Sequence, residues 1–237
     1  MNAEKSVMVE PVGEVKLIKN NRSRHMRLRV SPNGQAQVTM PVFTSEKNAI
    51  QFIKSKLEWI HQQQKKIKAG LTVFTPESAF QTKFHKLKIV ITNQTKLTNH
   101  IGNGILQINV PSKFDIQQAD IQQFIRNVII KLLHHEAKLY LPKRLKELAA
   151  EHNFSFQKVF VKHVKTRWGS CSSVNNINLN IHLMRLPDHL IDYVLLHELT
   201  HTRIKNHSKL FWDELEQIYP GSQAFNKELK NYRVDLF

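Results

Sequence analysis

His197-Glu198-Leu199-Thr200-His201, followed six residues later by His207, is the stretch from which the rest of the chain can be read. It has the form H-E-x-x-H. Two histidines four apart on a helix project from one face, a turn apart, so both imidazoles can reach one ion. Zn²⁺ accepts neutral imidazole nitrogens and favours four ligands in a tetrahedron. Three protein ligands leave the fourth position open, the pattern of a catalytic rather than a structural zinc site. Glu198, beside the first ligand, is placed to act on water as a base rather than to bind the ion.

The flanks fit a helix that crosses a core. Leu186-Pro187-Asp188 opens it, with Pro in the starting region and an acidic residue in the first turn. Leu190, Ile191, Val194, Leu195 and Leu199 are apolar, as burial demands. The competing reading of His197 and His201 is a pair of hydrogen-bonded core histidines. A second pair, His135-Glu136, has Leu139 where the second histidine would stand, so it cannot build the same site.

For His207 to come back to the ion, the helix must end after His201. Zinc proteases of the metzincin type place a Gly between their second and third histidines, where this chain has Ile204. Asn206 is expected to take a left-handed conformation and end the helix instead. Ser208 then caps a second helix, Lys209 to Tyr219, which Pro220-Gly221 closes. His207 is the expected third ligand on its metzincin-like spacing. Glu214 on that second helix is the alternative, and would give a His₂Glu site. Cys171 is read as a small buried residue. As a fourth ligand it would close the site against catalysis.

Composition bounds the rest. The chain has 237 residues, enough to bury a sizeable core, and its 41% hydrophobic and 23% charged content is that of a globular protein. A single cysteine excludes an internal disulfide and suits a reducing cytoplasm. Residues Met1 to Pro11 lack a basic start followed by an apolar run, so no signal peptide is expected. No apolar stretch reaches the length of a membrane span. Lys and Arg number 35 against 19 Asp and Glu, a formal charge of +16. That excess attracts anions such as nucleic acid, acidic proteins or phosphorylated small molecules, or it keeps the protein in solution.

Taken in order, Glu14 to Pro41 reads as paired strands. Met26, Leu28 and Val30 alternate with Arg27 and Arg29 before a Ser31-Pro32-Asn33-Gly34 turn. Arg22, Arg24, Arg27 and Arg29 crowd this hairpin and are read as a solvated outer face. One helix is expected from a Ser45 cap to Gly70, then strands from Leu71 to Val110 around a Gly102-Asn103-Gly104 turn. A long amphipathic helix follows, with a stripe from Ile121 to Leu133, ended or kinked at Pro142 and resumed to about Ala150. Phe156 to Val164 and Ile177 to Leu183 read as strands, separated by the polar stretch Thr166 to Ser173. The fold class is α+β, with a β-rich part over 1–112 and a helical part over 113–237 sharing one core.

The set Arg167-Trp168-Gly169-Ser170-Cys171-Ser172, Ile177-Asn178-Leu179-Asn180, His197-Glu198-Leu199-Thr200-His201 and Asn206-His207-Ser208-Lys209-Leu210-Phe211-Trp212 resembles the YgjP-like family of metal-dependent hydrolases. That family is related more distantly to SprT-like and WLM-type zinc proteases. The resemblance is strongest from Arg167 to Trp212 and continues back to about Arg22. It implies a minimal zincin fold, one zinc ion on His197, His201 and His207, and Glu198 as the base, and it favours His207 over Glu214. It supplies no substrate.

The expectation is therefore a zinc-dependent hydrolase, foremost a peptidase. Glu198 takes a proton from water and returns it to the leaving amine, and Arg167 is nominated to face the substrate oxyanion. Arg167 could equally be a surface residue. The strand Ile177 to Leu183 could offer its edge to an extended peptide, and Trp168 and Trp212 are read as core. Two further readings stand beside this one: a hydrolase of a phosphorylated small molecule or nucleotide, and a nucleic-acid-associated protein of the SprT-like kind.

Overall fold

The computed structural model describes residues 4–31, 34–70 and 72–234. The chain divides into two compact units, Met1–Thr72 and Val73–Leu236. The sequence pattern changes from strand to helix near residue 112, but the division falls at Thr72. The segment between Thr72 and the next strands is tied to the long helix that follows: Gln122 bonds the backbone of Phe74 at both N and O, and Glu136 holds Thr82 and His85.

The first unit is a four-stranded sheet with helices on one face. Its strands are β1 (Glu4–Val9), β2 (Gly13–Lys19), β3 (Arg27–Val30) and β4 (Ala36–Met40), in the order β1-β2-β4-β3. β2 and β4 run parallel and the other pairs antiparallel. Period-2 alternation sends Val15, Leu17, Ala36, Val38 and Met40 to one face, where they are buried. Ala49, Ile53 and Ile60 cover them from α1 (Glu46–Lys54) and α2 (Leu57–Gly70). Each fully buried Val, Leu or Ile contributes roughly 1.5–3 kcal/mol. The β3–β4 hairpin is the expected one; its turn bonds Gly34 N to Ser31 O at 2.8 Å, while Pro32 and Asn33 lie outside the described residues. Ser45 caps α1 as expected, its Oγ accepting from Asn48 N at 3.2 Å. The single helix expected to Gly70 is two, because the Ser55 hydroxyl donates to Phe52 O and the chain turns there.

The second unit holds the H-E-x-x-H segment. β5 (Lys86–Thr92), β6 (Thr98–Gly102) and β7 (Ile105–Pro111) form a sheet in the order β5-β7-β6. Asn103 and Gly104 both take positive φ, the requirement of the tight turn between β6 and β7. The long helix is α3 (Ala119–Glu151). Ile121, Ile125, Val128, Ile129, Leu132 and Leu133 are buried along it as the stripe requires. Pro142 does not end it: the carbonyl left without its N–H partner is that of Lys138, an exposed position that water can serve.

A second three-stranded sheet comprises β8 (Lys158–Lys162), β9 (Gly169–Cys171) and β10 (Asn176–Asn180), in the order β8-β10-β9. The strand expected to run to Leu183 stops at Asn180. Its side chain accepts from His182 N and donates to the carbonyls of Val164 and Arg167, both at 2.7 Å. Those bonds turn the chain into a 3₁₀ segment, Ile181–Arg185, of which Ile181 to Met184 are wholly buried. Three helices complete the unit: α4 (Asp188–Thr200), α5 (Lys209–Ile218) and α6 (Ser222–Leu229). α4 lies against α3, β9, β10, α5 and α6. Arg144 of α3 grips Asp192 of α4 with two bonds, 2.9 and 2.7 Å, the bidentate geometry that fixes orientation as well as charge. The architecture is α+β. Among the described residues, no helix is long and apolar enough to cross a membrane.

Candidate metal centre

α4 is apolar nearly all round: Leu190, Ile191, Val194, Leu195, Leu196 and Leu199 are buried. His197, Glu198 and His201 are thus carried on a rod held on every side, which fixes their positions. The helix ends at His201, as the third-ligand argument requires. Asn206 is not left-handed, however; Asn103, Asn153 and Asn175 are the described non-glycine residues with positive φ. The chain tightens instead, with Thr202 N bonded to Leu199 O and both Arg203 N and Ile204 N to Thr200 O. Asn206 contributes its side chain, whose Oδ1 accepts from Ser208 N at 3.3 Å. Ser208 stands at the N-cap of α5, without a side-chain capping bond.

Two cations hold the bend. Arg203 pairs with Glu214 at 2.6 Å and donates to Asn153 O at 2.7 Å, its guanidinium over the Phe154 ring. Lys205 reaches Ser172 O at 3.0 Å and also bonds Asn175 Oδ1. Glu214 is therefore engaged by Arg203. Cys171 is half-buried, its Sγ 3.9 Å from Lys205 Nζ.

The bend brings His207 back to α4. Its Nε2 lies 3.0 Å from His197 Nε2 and 3.1 Å from His201 Nε2. Among the described residues, these three form the group of His, Cys, Asp or Glu side chains able to hold an ion. Nitrogens at the corners of a tetrahedron with bonds of ~2.0–2.1 Å stand ~3.3 Å apart. Three imidazole nitrogens this close together crowd their lone pairs or protons unless a cation takes them up, so the donor set fits a divalent ion. His201 Nδ1 donates to Ile204 O at 3.0 Å, which leaves the Nε2 lone pair for a metal. Burial and the neighbouring His201 and His207 push His197 down to about 3, so it is neutral, the form that ligates. Burial also lowers His201, against the Ile204 hydrogen bond.

Phe211 packs beneath all three rings, 4.9, 4.5 and 4.9 Å from the centroids of His197, His201 and His207, and is fully buried. Trp212, half-buried, stacks on His207. Tyr193, one turn before His197, closes the other side. The apolar spacing of α5 marks Phe211 as core, but nothing in the sequence marks it as the floor of the histidine cluster.

Glu198 is 6% exposed. Burial pushes its carboxyl up to about 8, against the charge of Arg167. It is pressed against the backbone of β9: a Cβ at Gly169 would stand 2.6 Å from Oε1, 2.7 Å from Cγ and 2.9 Å from Cδ. Its Oε2 is buried and makes no hydrogen bond among the described residues. Arg167, exposed, precedes β9 on a loop that Asn180 pins by its two carbonyl bonds. A pocket of about 210 Å³ opens beside it, lined by Lys162, Arg167, Trp168, Ser170 and Asn178. None of the three imidazoles lines this pocket. Sequence pattern does not single out Asn180, which reads as the solvent face of a strand, or Gly169, whose contact with Glu198 spans 29 positions.

A protein-family model described as YgjP-like, metallopeptidase domain, matches residues 24–232. The chain belongs to the YgjP-like family. It is, as a member, a metal-dependent peptidase, which is the enzyme class its donor set fits. No curated protein matches it. Two solved structures are similar over part of it. One is the metallopeptidase zymogen abylysin of Pyrococcus abyssi, at 21% identity and a TM-score of 0.35, covering 38% of this chain and 93% of that one. The other is the metallopeptidase zymogen jannalysin of Methanocaldococcus jannaschii, at 26% identity and a TM-score of 0.34, covering 38% and 92%.

Proposed function

We propose that this YgjP-like chain is a zinc peptidase in which His197, His201 and His207 hold one ion and Glu198 is the general base. The convergence of three imidazole Nε2 atoms beside a buried carboxylate carries the reading. Three nitrogen donors suit zinc among the available divalent ions. When bound, zinc supplies Lewis acidity, polarising a carbonyl and making water more acidic.

The chain's own groups do the rest. Glu198, buried and raised, takes a proton from the attacking water through its unpartnered Oε2 and passes it to the departing amine. Gly169 leaves the room this carboxylate occupies. The positive charge of Arg167 reaches Glu198, whose carboxyl it lowers, and in our reading it would oppose negative charge on the substrate as an oxyanion donor does. The strand expected to offer its edge to a peptide is β10, but β10 is central in its sheet. The edge beside Glu198 is β9, and an extended substrate would pair with Gly169–Cys171.

Two measurements follow. Dialysis against a strong chelator is expected to abolish cleavage of an unfolded protein substrate, and one equivalent of zinc to restore it. Activity that survives complete metal removal would contradict the assignment. Gly169→Ala is expected to lower kcat by roughly 100-fold, because displacing a reacting group by about 1 Å costs that much. Metal content should stay at one ion. A variant with parental kcat would show that Glu198 has no need of the space.

A further inference from the structure

Residues 1–72 carry 13 Lys and Arg against five Glu and no Asp. Arg22, Arg24, Arg27 and Arg29 are all exposed, and their guanidinium groups make no hydrogen bond or ion pair with any described residue. Register aligns two of them. Arg27 and Arg29 lie opposite Thr39 and Gln37 of β4, so they share the uncovered face of the sheet, while Leu28 and Val30 turn to the helices. The acids of that face, Glu4 and Glu14, sit on β1 and β2 away from β3, and Glu4 is already paired with Lys16. Asn20 N bonds Met40 O at 2.9 Å, so the loops after β2 and after β4 leave the sheet at the same end. One loop carries Arg22 and Arg24. The other carries Phe43, which is 98% exposed and so contributes nothing to packing.

We infer that this end of the first unit is a binding surface for single-stranded nucleic acid. Arg is the residue that grips phosphate oxygens with two donors at once. An exposed aromatic ring beside such a row offers a stacking face for an unpaired base, which a duplex keeps inside its own stack. Charge alone would also fit a duplex or an anionic lipid surface; Phe43 selects the single strand. Charge patterning by itself reads the arginines as a solvated face. The common face of Arg27 and Arg29, and the lack of partners for all four arginines among the described residues, point elsewhere.

The test uses the full chain and fluorescein-labelled oligo-dT and oligo-U of about 20 nucleotides, followed by anisotropy. Binding to at least one is expected at ~50 mM KCl and should fall steeply toward ~200 mM. Arg27→Gln with Arg29→Gln should make the slope of log K against log salt shallower by ~1.4, because two fewer phosphates are neutralised. Phe43→Ala should weaken binding at least ~5-fold and leave the slope unchanged. Lys143→Gln with Lys146→Gln on α3 removes the same charge elsewhere and should change neither. The inference is overturned by no binding of either strand at ~50 mM, by an equal loss in the lysine variant, or by parental affinity in Phe43→Ala. Duplex DNA or phosphatidylserine vesicles binding as tightly as the single strands would also overturn it.

Discussion

Glu198→Gln is expected to keep the metal and lose turnover by about 10²- to 10⁴-fold, the contribution of a positioned general base. The substitution is nearly isosteric, so the contact with Gly169 and the packing of α4 survive. The three imidazoles keep their places, since none is hydrogen-bonded to Glu198. What disappears is a proton acceptor. A base works best with its pKa near the working pH, and two opposing effects tune this one. Burial raises the carboxyl to about 8, while Arg167 pulls it down. An amide in the same place cannot accept the proton at any pH. The checks are kcat on a peptide substrate and the metal content of the same sample; a variant with full activity would sink the mechanism.

His207→Ala is expected to lose both metal and activity. α4 alone offers two imidazoles, and the third arrives from a bend that Arg203 and Lys205 hold in place. Loss of a group that only supports a ligand typically costs 10–100-fold in metal affinity, so loss of the ligand itself should cost ~100-fold or more. Phe211 beneath the rings is untouched, and His207 is largely exposed, so the fold has little reason to suffer. An unchanged melting temperature in the metal-free protein, with affinity lost, would separate a ligand from a packing residue.

Local signals in the sequence carry the centre. Histidines four apart, the apolar run of α4 and the start of α5 after Ser208 are short-range facts, and short-range patterns also lay out α3 and the β6–β7 turn. Long-range facts are out of its reach. The Gly169–Glu198 contact joins residues 29 apart, and no pattern in either neighbourhood announces it. β10 reads as a half-buried strand whether it lies at the centre or the edge of a sheet, because strand order is set by chain paths rather than alternation. Ile181 and Leu183 continue that alternation, yet His182 between them and Met184 after them are buried too, and only the capping by Asn180 distinguishes the 3₁₀ segment from more strand. Residue type alone credits Asn206 with a left-handed turn; the bend is made by backbone tightening after Leu199 and by two long cations whose partners are distant in sequence.

Elemental analysis of the purified chain, of His207→Ala and of Glu214→Ala, measured side by side, tests the centre most directly. One equivalent of zinc is expected in the parent and in Glu214→Ala, where Arg203 loses its ion pair but keeps its bonds to the carbonyls of His152 and Asn153, and none in His207→Ala. Zinc kept by His207→Ala and lost from Glu214→Ala would contradict the three-histidine centre.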